Sequence, residues 1–256
     1  MRRRAMQIAI GMTAVVALAW SGSASALEAL PSDTNVDYQL GGAAGPDDGV
    51  GIVVRDRSEA PADGLVNVCY VNGFQTQPDQ KRFWRHRWSL VLKRDGKPVV
   101  DSAWGEWLLD LRTEKKRQRL AAIMGGWTQG CADDGYDAVE YDNLDSYSRS
   151  HGLLTPRQAK RYAHLLVDGA HDAGLLAGQK NRAGWDGTVV GYDFAVAEEC
   201  GRYDECTDYT DHYGDQVLAV EYRRPDFTRT CDAIGADVPV VLRDRDLTPD
   251  GVHAYC

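Results

Sequence analysis

Asp142, Asn143 and Asp145 crowd two carboxylates and an amide into four residues, separated by two residues from the apolar pair Ala138-Val139 and among the rings of Tyr136, Tyr141 and Tyr147. A short strand ending in such a knot carries groups that can hold a substrate and move a proton. A second run, Phe194-Ala195-Val196-Ala197, likewise ends in Glu198, Glu199 and Cys200. One carboxyl from each strand end, facing across a bond, is the equipment of glycoside hydrolysis. Acids at strand ends also cap helices or stand on a solvated face, and either knot taken alone is open to that reading. Repetition favours a site, because Asp37, Asp110, Asp142, Glu198 and Glu221 all sit at or just past the ends of apolar runs. Delivery of acids by several strands to one rim is a habit of the (β/α)8 barrel, whose chemistry lies at the C-terminal ends of its strands.

The elements that must position these groups are legible in outline. Val50 to Val54 and Leu65 to Val71 are apolar enough to be strands buried on both faces, the pattern of a parallel sheet, and Leu175 to Gln179, Val217 to Val220 and Val238 to Leu242 are further strand candidates. With Asp37 to Leu40, Leu108 to Leu111 and the two acid-tipped runs there are nine candidates for eight barrel positions. Either Leu108–Leu111 or the first segment is surplus. Thr113 to Cys131 predicts a helix with Leu120, Ile123, Met124 and Trp127 on its buried face. A second helix starts at Thr155 as N-cap, with Pro156 at its first position and Gln158 completing a capping box; Gly174 stops it, and a strand follows at once. That is one βα repeat, and the expected fold is a single α/β (β/α)8 TIM-like barrel stapled by disulfides.

Three features bound the setting. Arg2-Arg3-Arg4, an apolar run from Ile8 to Trp20 and the small-residue site Ala24-Ser25-Ala26 predict a signal peptide over residues 1–26, then a linker over 27–36 and the barrel over 37–256. Without the three signal arginines the mature chain carries 26 basic against 38 acidic residues, a net charge of −12. That balance argues against a nucleic-acid partner and permits a cationic one, although acidity also serves solubility. All six cysteines, Cys69, Cys131, Cys200, Cys206, Cys231 and Cys256, lie in the exported part. In an oxidising compartment they predict three disulfides. Proximity pairs Cys200 with Cys206; Cys231 with Cys256 would tie down the C-terminus and leave Cys69 with Cys131. No Cys-x-x-Cys or His-x-His spacing supports a metal, and no nucleotide-type glycine loop, Gly-x-Ser-x-Gly elbow or His-Glu-x-x-His helix is present. The basic, aromatic stretch from Phe83 to Trp88 reads either as the rim of a sugar cleft or as packing, and Trp104 and Trp107 as core or as stacking surfaces.

In this order Asp37-Tyr38-Gln39-Leu40-Gly41, Val68-Cys69-Tyr70, Trp104-Gly105-Glu106-Trp107 with Asp110-Leu111-Arg112, Tyr141-Asp142-Asn143-Leu144-Asp145, Gln179-Lys180-Asn181, Glu198-Glu199-Cys200 and Val220-Glu221-Tyr222 resemble glycoside hydrolase family 114, the endo-α-1,4-polygalactosaminidases. The resemblance implies a barrel hydrolase that cuts α-1,4-linked galactosamine polymers without a cofactor. Carried onto this sequence, Asp142 and Glu198 are the catalytic pair; the favoured assignment is Asp142 as nucleophile and Glu198 as acid/base, with the sequence leaving the roles and the stereochemical outcome open. Ala197 and Glu199 depart from the family pattern, which would have Asn and Gln there; the extra acid could raise the Glu198 pKa or point away. A substrate bearing ammonium groups suits a cleft lined by Asp37, Asp110, Asp145 and Glu221, with Asn143 beside them, rings from Tyr38, Tyr70 and Tyr222, and Lys180 paired with a catalytic acid or bonded to a sugar hydroxyl. The expectation is a secreted monomer free of nucleic acid and, after signal cleavage, of membrane, whose partner is a cationic amino-sugar polysaccharide. A barrel that binds glycan without cutting it, or one that cuts another amino-sugar polymer, would carry much of the same sequence.

Overall fold

The structure, a computed structural model, describes residues 29–256; the expected signal peptide lies outside them. Eight parallel strands follow one another around a barrel in sequence order: β1 (Asn35–Gln39), β2 (Val50–Asp56), β3 (Val66–Val71), β4 (Ala138–Tyr141), β5 (Leu176–Lys180), β6 (Phe194–Glu198), β7 (Val217–Glu221) and β8 (Val240–Leu242). A ninth, β9 (Ala254–Tyr255), pairs antiparallel with β8 and was not foreseen. The first segment is therefore the true strand. Leu108–Leu111 lies outside the sheet, where Leu108 and Leu109 make isolated bridges to Gln75 and Val91. The stretch read as a linker joins the barrel: β1 begins at Asn35, and Leu30 is buried with the interior residues while its backbone exchanges two hydrogen bonds with the Gln216 amide.

Alternation along the strands separates two cores. Val36, Ile52, Val54, Val68, Ala138, Leu176, Phe194, Val196, Leu218 and Val241 fill the barrel. Gly178 of β5 has no side chain because the Phe194 ring occupies the space a Cβ would need. The residues between them face outward against the helices α2 (Glu114–Asp134), α3 (Pro156–Asp172), α5 (Cys206–Tyr213) and α6 (Arg224–Ile234); the short α1 (Lys81–Arg85) and α4 (Cys200–Tyr203) complete the set. Thr113 caps α2, and Thr155 with Gln158 forms the complete capping box of α3, whose buried stripe is Ala159, Tyr162, Ala163, Leu166, Val167 and Ala170. Each fully buried leucine or valine on such a stripe contributes about 1.5–3 kcal/mol. Trp84 is buried against Phe83 and Trp127, so this part of the basic aromatic stretch is packing, while Arg85, His86 and Trp88 are exposed and do not line the cleft at the C-terminal mouth of the barrel.

β1, β2 and β3 are joined without helices. A buried polar network covers the gap: Arg55 donates to Gln39 and to the carbonyls of Ala44 and Ala60, and Gln39 donates to Asp37. At the seam between β8 and β1, Arg243 pairs with Asp37 at 2.5 Å and also donates to the Tyr38 carbonyl. Three disulfides join Cys69 to Cys131, Cys200 to Cys206 and Cys231 to Cys256, tying β3 to α2 and α6 to the C-terminus. Among the described residues no helix is long and apolar enough to cross a membrane.

Candidate active site

Inward alternation on three adjacent strands converges on one ammonium. On β4 the residues Ala138 and Glu140 face the interior, and Asp142 follows in the same phase just past the strand; β5 presents Lys180 and β6 presents Glu198. Lys180 Nζ lies 2.8 Å from Glu140 Oε1, 3.3 Å from Glu198 Oε2 and 4.0 Å from Asp142 Oδ2. Burial opposes its charge, but Asp142, Glu140 and Glu198 hold its pKa well above the ordinary value, so it is a fixed cation. Tyr38 reaches from β1 beneath it, accepting from Lys180 at 2.5 Å and donating to Glu140 at 2.7 Å.

The two outer carboxylates open to a cleft of about 530 Å³ at the C-terminal mouth of the barrel. Asp142 accepts from the Tyr70 hydroxyl at 2.8 Å and from the Asn143 backbone at 2.6 Å. Glu198 accepts from the Tyr222 hydroxyl and from Asn181 Nδ2 at 3.0 Å, while its own N–H donates to Asn181 Oδ1 at 2.8 Å. Burial alone would raise the Glu198 carboxyl; the Lys180 ammonium and the hydrogen bonds from Tyr222 and Asn181 outweigh it and hold the pKa below the ordinary value. At Glu140, which Lys180 and Tyr38 also hydrogen-bond, burial prevails. Burial pushes it up to about 7, against the pull of Lys180 and with the repulsion of Asp142.

The backbone is special at the same three strand ends. Asn143, Asn181 and Glu199 all adopt left-handed φ, 66°, 56° and 56°. Outside glycine such residues are uncommon and cost roughly 1–3 kcal/mol each, and they concentrate where a site dictates geometry. Here they turn the chain sharply as it leaves β4, β5 and β6, which aims Asp142, Lys180 and Glu198 at one point.

A model of glycoside hydrolase family GH114 matches residues 18–256. The chain belongs to this family. Among solved structures it is similar to Aspergillus fumigatus Ega3, in complex with galactosamine, at 22% identity over 92% of this chain and 100% of that one, with a TM-score of 0.71. It is also similar to the glycoside hydrolase domain of PelA from Pseudomonas aeruginosa, at 16% identity over 85% of this chain and 97% of that one, with a TM-score of 0.56. At these identities the likeness is one of fold. Among curated proteins nothing matches the chain.

In this GH114 barrel the expected site residues divide. Tyr70, Asp142, Asn143, Asp145, Lys180, Glu198 and Tyr222 line the cleft, and Tyr38 lies just beneath it. Asp37, Asp110 and Glu221 do not reach it. Asp37 and Glu221 are one residue out of phase with the inward-facing Tyr38 and Tyr222, and period-two alternation turns them to the outer face. There Asp37 meets Arg243, and Glu221 accepts from the Gly201 N–H and the Thr230 hydroxyl, each at 2.7 Å. Asp110 belongs to no barrel strand; it is buried with Arg112 and Lys116 at the start of α2. Glu199 is turned to Arg202 and Arg245, 2.6 and 2.7 Å away, so it does not load Glu198 with like charge.

The sequence motifs name Asn181, Trp104 and Glu106 without giving Asn181 or Glu106 a role, and neither Glu140 nor Asp101 stands out in them. Glu140 was detectable, because it shares the phase of Asp142. A hairpin, formed by Val100–Asp101 and Glu106–Trp107, belongs to the long β3–β4 insertion and brings Asp101, Trp104 and Glu106 to the cleft. Trp104 is 63% exposed there, a ring presented to whatever the cleft holds.

Proposed function

We propose that this GH114 hydrolase is an exported, endo-acting enzyme that cleaves α-1,4-linked galactosamine polymers, de-N-acetylated or partly acetylated, as a monomer. The observation that carries it is the convergence of Asp142 and Glu198 from β4 and β6 on Lys180, in a cleft lined by seven acids against three bases. That excess of negative charge suits a polymer of ammonium-bearing sugars. Ega3, similar in fold over the whole of its chain, is a protein whose structure holds galactosamine. Three disulfides suit an oxidising compartment, in keeping with a signal peptide over residues 1–26.

The chemistry follows from the groups in the cleft. An α-glycosidic bond breaks through an oxocarbenium-like transition state, which needs a proton on the leaving oxygen and a carboxylate on the opposite face. Asp142 is the nucleophile: Tyr70 and the Asn143 N–H fix both its oxygens. Glu198 is the acid/base, and it takes up its proton against the pull of Lys180, Tyr222 and Asn181. Trp104 offers an apolar face on which a sugar ring stacks.

The test is release of new reducing ends from de-N-acetylated α-1,4-galactosamine oligomers by the mature protein, beside Asp142→Asn and Glu198→Gln. Cleavage by the wild type and its loss in both variants is expected. A folded wild type that binds these oligomers yet releases no ends would make the barrel a glycan-binding module, and cleavage confined to another amino-sugar chain would replace the substrate.

A further inference from the structure

One buried carboxylate in the cleft has no cationic partner among the described residues. Asp101 and Asp145 share Arg149, Glu199 has Arg202 and Arg245, and Asp142 and Glu198 share Lys180. Asp246 is exposed to solvent. Glu106 is 8% exposed, lines the cleft and forms no ion pair among the described residues. Its Oε2 accepts from Asn72 Nδ2 at 2.9 Å, and the orientation of Asn72 is set from behind: its Oδ1 accepts from Asn143 Nδ2 and from the Gln75 N–H, each at 3.1 Å. Asn143 in turn follows Asp142, to which its N–H donates. Glu106 is thus held on the same frame as Asp142, on the hairpin that also displays Trp104.

A buried carboxylate without a counterion is unfavourable until a cation or a proton joins it. Building on the proposed function, we infer that Glu106 is the receptor for the ammonium group of a 2-amino sugar bound next to Asp142, and that it makes the cleft prefer free amines to N-acetylated units. An acetamido group carries no charge and brings a bulkier substituent to the same place. The groups facing Glu106 agree with this role. Burial, joined by repulsion from Asp142 and Asp101 and offset by Asn72 and Arg149, pushes its pKa up to about 7, so the empty site shares a proton that an arriving ammonium would displace.

Two measurements test it. In the first, kcat/KM of wild type and Glu106→Gln is compared on fully de-N-acetylated and on partly N-acetylated galactosamine oligomers. Loss of a charge-assisted contact predicts a fall of roughly 10- to 100-fold on the free-amine chain, carried mainly by KM, and a change within about threefold on acetylated units. An equal fall on both chains, or none on either, overturns the inference. In the second, galactosamine oligomers are titrated at pH 6.5 into Glu198→Gln protein, with and without Glu106→Gln, in two buffers of different ionisation enthalpy. Proton release on binding that vanishes with Glu106→Gln is expected; equal affinity and equal release in the two proteins overturn the inference without any reference to turnover. Should the wild type prove inactive while amine binding still depends on Glu106, the enzymatic reading fails and the receptor stands.

Discussion

Lys180 Nζ lies 3.3 Å from Glu198 Oε2, reaching from the end of β5 to the end of β6 with only 1% of its side chain exposed. The ion pair depresses the Glu198 pKa; in the proposed acid/base role Glu198 must be protonated to serve the leaving group, so activity should be present below that pKa and lost as pH rises through it. Lys180→Met removes the attraction. The alkaline limb of the kcat/KM profile should therefore move to higher pH. If the acidic limb moved up instead, Glu198 would be the group that works ionised, and Asp142 would take the acid role.

Glu140 stands on the other side of the same ammonium, fully buried, with Oε1 bonded to Tyr38 and Lys180 and Oε2 without a partner. Its pKa, pushed up to about 7 from an ordinary 4.5, means that the folded protein holds the Glu140 proton more tightly than the unfolded chain does. Its contribution to stability is complete below about 4.5 and is lost as pH rises to about 7, a change on the order of 3 kcal/mol. In Glu140→Gln that decline should be absent. Urea unfolding at pH 4.5, 6 and 7.5 checks this, and a decline as steep in the variant as in the wild type would refute it.

How much of this site could be read beforehand depends on phase. Asp142 and Glu198 were legible because each ends an apolar run in a cluster of polar groups, and Thr155 with Gln158 because a capping box is purely local. Asp37 and Glu221 look the same in one dimension as Tyr38 and Tyr222; only the direction of the pleat separates a cleft residue from a packing residue, and alternating burial cannot be read where both faces of the strand are covered. Asp101 and Arg149 give no signal in the sequence, and Glu106 stands there only as part of the motif Trp104-Gly105-Glu106-Trp107, for a different reason. They meet at the cleft only because the β3–β4 insertion folds back over the mouth, a tertiary event with no periodic signature.

The Asp37–Arg243 pair makes the phase argument testable. Both side chains are fully buried at the β8–β1 seam, where Arg243 also donates to the Tyr38 carbonyl. Asp37→Asn leaves a buried guanidinium without its counterion and should cost roughly 3–5 kcal/mol of stability. Well below its melting temperature the variant should keep kcat/KM within about twofold of wild type. Lost turnover with unchanged urea unfolding would put Asp37 back in contact with substrate.

Charge in the cleft sets how the enzyme responds to salt. Asp101, Glu106, Asp142, Asp145, Glu198, Glu199 and Asp246 face Arg149, Lys180 and Arg245, and on the proposed function the excess of carboxylates would draw a cationic chain toward the mouth. Raising ionic strength from 0.01 M to 1 M shortens the screening length from about 30 to about 3 Å, which removes the long-range pull while leaving buried contacts nearly intact. KM for de-N-acetylated oligomers should rise by roughly tenfold or more over that range with kcat little changed, whereas KM for fully N-acetylated, uncharged oligomers should stay flat. Initial rates across the salt series on both chains decide the matter: a KM indifferent to salt on the cationic chain would mean that binding rests on stacking and hydrogen bonds, and that the acids of the cleft serve Arg149, Lys180 and Arg245 instead of the substrate.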